Sequence, residues 1–394
     1  MDLFEKCYSF TRADEAMAMD IYPYFTPIQE VRGNKVVVDG KEMIMVGSNN
    51  YLGLLNHPAV MKAAQAAVDR YGVATCGSRF LNGTLDIHVE LEERLARFMQ
   101  KEAALTFSTG FQTNLGIIPT IAGKDDVIIV DRMVHASIID ACRLSFAKVH
   151  KYKHNDMDDL DRVLSSLKGK SGKLIVVDGV FSMEGDLANL PEVVRLAKKH
   201  NARMLVDEAH GIGVMGKNGR GTPEHFGVEG DVDLVMGTFS KSFASLGGFV
   251  AGNKKVISYI KHHARSLIFS ASITPASVAA VLATLDIIEK EPERRRRLWE
   301  ITRKMKSGFK ALGFSTGDTE TPIIPVVIGD DDIAFMFWRF LREDGIFANP
   351  VVYPAVPKGQ SLIRTSYSAT HSDEELDAVL ASFEKCGKLI GIIK

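Results

Sequence analysis

Cysteine is scarce and scattered. The four residues Cys7, Cys76, Cys142 and Cys386 form no CxxC pair, so neither a zinc site nor a disulfide framework is expected. No metal is implied, and a reducing cytoplasm fits best. Charge of one sign is not in excess either: 48 Lys+Arg stand against 49 Asp+Glu, a net charge of −1. That balance argues against nucleic acid as a partner, because phosphate backbones are held by clustered positive charge. The basic run Arg294 to Arg297, beside Glu291 and Glu293, reads as a solvated helix face. Signal-peptide features are missing from the N-terminus, and no run approaches the roughly 18 apolar residues of a membrane span. Repeats and low-complexity tracts are absent too. With 46% hydrophobic and 25% charged residues, the composition is that of a soluble globular protein. A chain of 394 residues predicts one large domain with one or two appendages.

Residues 2 to about 20 have a mixed helical pattern that stops at Tyr22-Pro-Tyr-Phe-Thr-Pro27, where proline forbids continuation. This stretch reads as an arm lying on another surface. Two β-rich runs around Asp39-Gly40 predict a hairpin. Residues 1–55 are therefore expected to form an N-terminal arm and hairpin. Pro58 to Arg70 and a segment from about His88 carry apolar residues at helical spacing. A loop rich in glycine and hydroxyls, Cys76 to Thr84, separates them. From about 103 to 252, short apolar runs alternate with helical segments: Ala104–Phe107, Val127–Val130, Leu174–Val177, Met204–Val206, Leu234–Met236 and Phe249–Ala251. Alternation of this length predicts an α/β domain over 56–290, a mainly parallel sheet covered by helices on both faces. Residues 291–394 predict a smaller α+β domain, with strands near Ile323–Ile328 and Leu362–Thr365 and a last helix opened by a Ser372–Glu375 capping box.

In such sheets ligands bind where strands end, so the polar residues there are the candidates. Lys241 follows the apolar run 233–237 and sits among Thr238, Ser240 and Ser242. It is either a surface lysine in a Ser/Gly loop or a carbonyl-binding amine beside a phosphate cradle, the pairing that pyridoxal phosphate needs. Asp207 and His210 follow another run. A carboxylate there can pair with a pyridinium nitrogen, or it can cap a turn or bind a metal with the histidine. Ser182, in Asp178-Gly-Val-Phe-Ser182, could donate to a ring hydroxyl or be only a turn serine. Gly110 and Phe111 open a helix whose free N–H groups suit a phosphate. His135 could stack on a flat ring or be structural. Arg364 could grip a carboxylate with its planar fork or form a surface ion pair.

Taken together, SNNYLG, STGF, DRMVHASIID, DGVFSMEGD, VDEAHG, GTFSKS and RTSYSATH resemble the α-oxoamine synthases, pyridoxal-phosphate enzymes of the fold-type I aminotransferase class. The likeness runs from about Tyr24 to the last helix. It implies that Lys241 carries the cofactor, Asp207 meets the pyridinium nitrogen, His210 the ring hydroxyl with Ser182 nearby, and that His135 stacks on the ring. By the same likeness Thr238, Ser240, Gly110 and Phe111 hold the phosphate, and Asn49, Ser78 and Arg364 meet the amino acid. The family's members are homodimers with shared sites, which would bring Ser272 and Thr274 to the partner's phosphate.

Within the family, CGSRFLNGTLDIHVELEE and GTFSKSFASLGGFVAG are most similar to bacterial serine palmitoyltransferases. The tail from Tyr353 is more similar to glycine C-acetyltransferase. The segments beside the cofactor weigh more than a tail that partly serves packing. The implied reaction is condensation of L-serine with palmitoyl-CoA, giving 3-oxosphinganine, CoA and carbon dioxide. Glycine with a short acyl-CoA is the alternative substrate pair, and a scaffold subunit without catalysis is a third reading that the presence of both Lys241 and Asp207 opposes. A lipid product leaves room for peripheral contact with the inner face of a membrane, although no amphipathic segment announces it.

Overall fold

A computed structural model describes residues 2–167, 169 and 171–394. It divides into two compact units, one of Asn49–Ser182 with Asp186–Arg297, the other of Met1–Ser48 with Met183–Gly185 and Leu298–Lys394.

The first unit is built on a seven-stranded sheet. Strands Val127–Asp131, Lys148–Tyr152, Lys173–Asp178, Arg203–Asp207 and Leu234–Thr238 are parallel neighbours. Gly248–Gly252 joins antiparallel beside the last of these and pairs on its other side with Ala103–Phe107. Every residue of Val127–Asp131, Leu234–Thr238 and Gly248–Gly252 is buried, as covering of both sheet faces requires. Ile117 and Ile118 of helix Gly110–Ile121, Ile138 of Ala136–Leu144 and Ile260 of Lys254–His263 share one core with Ile128, Val130, Val176 and Leu205. Each such side chain contributes about 1.5–3 kcal/mol by leaving water. The edge strand Lys148–Tyr152 has no counterpart among the predicted runs. Its sequence KVHKY buries only Tyr152, and an edge strand tolerates the charge that a central one excludes.

The Cys76–Thr84 loop, expected as a segment rich in glycine and hydroxyls, is pinned through Arg79. Its guanidinium, 5% exposed, donates to Glu92 at 2.7 and 3.1 Å and to Thr106 Oγ1 at 2.7 Å. Glu92 also accepts from the Thr106 N–H at 3.0 Å. The buried pair is thus fully hydrogen-bonded, the condition under which such a pair is tolerated.

In the second unit, Asp39 and Gly40 both take positive φ, +50° and +73°, the two-residue turn that the sequence predicts. The hairpin strands Lys35–Val38 and Lys41–Met45 do not form a separate arm. Ile44 and Met45 pair in parallel with Ile346 and Phe347, so residues up to Ser48 belong with the C-terminal part, while 49–55 belong to the larger unit. A three-stranded antiparallel sheet places Ser361–Ser366 between Ile323–Gly329 and Asn349–Val351. Phe309, Phe314, Phe337 and Phe383 form an aromatic cluster with centroids 4.9 to 6.1 Å apart. The predicted capping box is present: Ser372 Oγ accepts from the Glu375 N–H at 3.2 Å and Glu375 Oε2 from the Ser372 N–H at 3.0 Å.

Candidate active site

Four strands of the larger unit end at one place. After Val127–Asp131 the chain turns to His135, after Lys173–Asp178 to Ser182, after Arg203–Asp207 to His210, and after Leu234–Thr238 to Lys241. These residues line a single cavity of about 270 Å³, together with Gly110, Phe111, Thr238 and Ser240. Parallel strands make this unavoidable, since their carboxyl ends share one edge of the sheet.

Asp207 forms part of the cavity wall and is 3% exposed. Asn114 Nδ2 donates to its Oδ2 at 2.8 Å and the Ala209 N–H to its Oδ1 at 2.9 Å. Two aimed donors make a carboxylate affordable in so buried a position. Asn114 also donates to Ser137 Oγ at 2.9 Å, and Ser137 Oγ lies 2.8 Å from His135 Nδ1. Asp207 and His135 are therefore held by one polar network. Asn114 carried no assigned role in the sequence, yet it lies four residues after Gly110, on the same helix face.

Asp178 also lines the cavity and was not assigned. In the strand register it stands opposite Asp207, and its Oδ2 accepts the His135 backbone N–H at 2.8 Å. Burial pushes its carboxyl well above the ordinary carboxylate range, and the charge of Asp207 acts the same way. Burial likewise lowers the His135 imidazole below its usual value, against the pull of Asp207. A neutral imidazole facing the cavity suits a flat aromatic ligand. Phe111, 43% exposed, meets the His135 ring edge to face with centroids 6.5 Å apart.

Tyr51 is a further residue that the sequence motif contained but did not single out. Its Oη lies 2.7 Å from His210 Nδ1 and donates to Asn49 Oδ1 at 3.2 Å. Asn49 thus reaches the cavity through Tyr51 and His210. At the other end, Thr238 Oγ1 and Ser240 Oγ are 2.9 Å apart. The helix Gly110–Ile121 starts there, with Thr109 capping the Gln112 N–H at 3.0 Å. A β-carbon at Gly110 would lie 2.6 Å from Thr238 Oγ1, so only glycine lets the helix start approach this hydroxyl pair.

The donor set fits pyridoxal phosphate. Hydroxyls and helix-start N–H groups suit a phosphate, an anchored carboxylate suits a pyridinium, and an amine suits a carbonyl. Three further candidates form a cluster of their own in the larger unit. Ser272 Oγ is directed at the carbonyls of Gly83 and Gly77, 2.6 and 3.1 Å away. Thr274 caps helix Pro275–Lys290 through the Ser277 N–H at 3.4 Å. Ser78 bridges to Ala271. These three belong to the junction between the Cys76–Thr84 loop and 271–275, which His88 braces by a 2.9 Å contact with the Ile273 carbonyl. Arg364 is a buried residue of strand Ser361–Ser366 in the smaller unit.

Outside the cavity lining, His154 stands 3.0 Å from both Asp131 and Asp186 and meets Phe181 edge to face at 4.4 Å. Burial opposes its charge, but the two carboxylates prevail and raise it from 6.5 to about 10. A cation favoured in the fold stabilises fully below its unfolded value and loses that contribution as pH climbs through about 10. The melting temperature of the wild type is expected to fall between pH 7 and 10 more steeply than that of His154→Ala. Parallel curves in thermal melts across that window would refute the ion-pair assignment.

The family model described as aminotransferase class I and II matches residues 41–383. The chain is 52% identical over 375 residues to a serine palmitoyltransferase of Sphingobacterium spiritivorum, covering 95% of this chain and 94% of that one. It is 46% identical over 383 residues to an 8-amino-7-oxononanoate synthase of Thermoanaerobacter pseudethanolicus, covering 97% of each. Among solved structures, a variant serine palmitoyltransferase from S. paucimobilis with bound PLP-myriocin aldimine superposes with a TM-score of 0.97 at 38% identity, over 100% of both chains. Among the described residues no helix is long and apolar enough to cross a membrane. From the match over 41–383 and these relatives, the chain belongs to the class I and II aminotransferase family.

Proposed function

We propose that this chain is a pyridoxal-phosphate-dependent serine C-palmitoyltransferase of the α-oxoamine synthase group, condensing L-serine with palmitoyl-CoA to give 3-oxosphinganine, CoA and carbon dioxide. The observation that carries this reading is the placement of Lys241 and the doubly anchored Asp207 in one cavity. Identity of about half the residues over nearly the whole length to a serine palmitoyltransferase supports the choice of substrates.

When bound, the cofactor supplies an electron sink for charge developing at the serine Cα. Lys241 would hold the cofactor through its Nζ, and the same amine is placed to take the Cα proton of the bound amino acid. Asp207 would favour a protonated pyridine nitrogen and so deepen the sink. His135, at the cavity wall, would cover one face of the ring, and His210, oriented by Tyr51, would meet the ring hydroxyl beside Ser182. Thr238, Ser240 and the N–H groups of Gly110 and Phe111 would hold the phosphate. By the family likeness Asn49, Ser78 and Arg364 would orient the serine, with the Arg364 fork on its carboxylate. A homodimer would bring Ser272 and Thr274 to the partner's site. A lipid product favours peripheral contact with the inner face of the membrane.

Supplying serine, glycine or alanine with acyl-CoAs of several lengths and following CoA release tests the substrates. Serine with a long-chain thioester is expected to give the highest kcat/KM. A preference for glycine with acetyl-CoA would replace this reading with that of a glycine C-acetyltransferase.

A further inference from the structure

Glu208 follows Asp207 directly and faces away from the cavity that Asp207 lines, and the reaction as derived makes no use of it. It is fully buried. A buried carboxyl group is costly unless its oxygens find partners, so its surroundings are informative. Its Oε2 accepts the Thr222 N–H at 2.9 Å, and its Oε1 meets Thr222 Oγ1 in a short contact. Three glycines close around it: a β-carbon at Gly179, Gly211 or Gly221 would run into a carboxylate oxygen of Glu208. Three separate turns therefore converge on this one side chain.

Two of those turns carry the cavity's chemistry. Gly179 begins the turn from Asp178 to Ser182, and its N–H donates to the Asp207 carbonyl at 2.8 Å. Gly211 follows His210, and its N–H donates back to the Glu208 carbonyl at 3.1 Å. The Glu208 N–H donates to the Met236 carbonyl at 2.8 Å, tying the same turn to the strand that leads to Lys241.

We infer that Glu208 is a positioning residue whose carboxyl group, wedged among Gly179, Gly211 and Thr222, sets the spacing between the turn of Asp207 and His210 and the turn of Asp178 and Ser182. This rests on Asp207 and His210 being cofactor residues. Burial raises the Glu208 carboxyl to about 8, in keeping with a group that works as a shaped, hydrogen-bonding wedge and leaves the charge to Asp207. An amide has nearly the same shape and can keep both contacts to Thr222, whereas alanine leaves a hole at the junction.

The test compares wild type with Glu208→Gln, Glu208→Ala and Thr222→Val, reading pyridoxal phosphate affinity, the pH midpoint of the bound cofactor's visible absorbance, and kcat and KM separately. Glu208→Gln is expected within about threefold of wild type in affinity. Glu208→Ala should bind the cofactor about tenfold more weakly, the scale of one lost buried hydrogen-bonding group, with a shifted midpoint and a fall in kcat greater than the change in KM. If Glu208→Ala does not fold, Thr222→Val decides, since it removes one hydroxyl and is expected to weaken binding several-fold and shift the midpoint. Variants with wild-type affinity and midpoint and only a lower melting temperature would overturn the inference. A wild type that binds no pyridoxal phosphate would instead overturn the reading of the site.

Discussion

Lys241→Ala is expected to abolish both the visible absorbance of the bound cofactor and turnover. The amine does two jobs at one place, covalent anchorage and proton transfer. General acid–base catalysis alone is worth about 10²–10⁴-fold, and loss of the covalent anchor adds to that, so a fall of at least ~10³-fold follows. The backbone around it is a tight turn independent of the side chain: the Phe239 N–H donates to the Gly247 carbonyl, the Ser245 N–H to the Phe239 carbonyl and the Ala244 N–H to the Lys241 carbonyl, each at 2.9 Å. The variant should therefore fold, as circular dichroism would show. A folded variant that keeps turnover within tenfold of wild type would contradict the assignment of Lys241.

Asp207→Asn is expected to lower kcat/KM by about 10²–10³-fold, the scale seen when one preorganised electrostatic partner is removed from an active site. The amide matches the carboxylate in size but not in hydrogen bonding. Both oxygens of Asp207 already accept protein donors, from Asn114 and the Ala209 N–H. An amide nitrogen in either position would set donor against donor, and the amide carries no charge to keep a pyridine nitrogen protonated. Cofactor should still bind through Lys241 and the phosphate cradle, so absorbance should persist while kcat falls. Near-wild-type kcat in a cofactor-loaded Asp207→Asn protein would show that the carboxylate does not tune the ring.

Much of this site was legible because each central strand is a short buried apolar run followed at once by a polar residue. Val127–Val130, Leu174–Val177, Met204–Val206 and Leu234–Met236 mark the sheet, and His135, Ser182, Asp207, His210 and Lys241 follow from their ends. The polar edge strand Lys148–Tyr152 lacks that signal. Supporting groups were harder to see for a different reason. Asn114 serves Asp207 from 93 positions away in the chain, and Tyr51 serves His210 from 159. Asp178 meets Asp207 only through strand register. Local patterns carry no record of such pairings. The hairpin at Asp39-Gly40 was visible from its turn, but its parallel partner Ile346–Phe347 was not, and so residues up to Ser48 were expected to stand apart from the C-terminal part.

The central claim is most directly tested by the mass of the product. Purified protein loaded with pyridoxal phosphate and given serine labelled in its carboxyl carbon with palmitoyl-CoA is predicted to yield 3-oxosphinganine, with one CoA and one labelled carbon dioxide per product. A product that retains the label, or the absence of product with serine while glycine and a short acyl-CoA react, would contradict it.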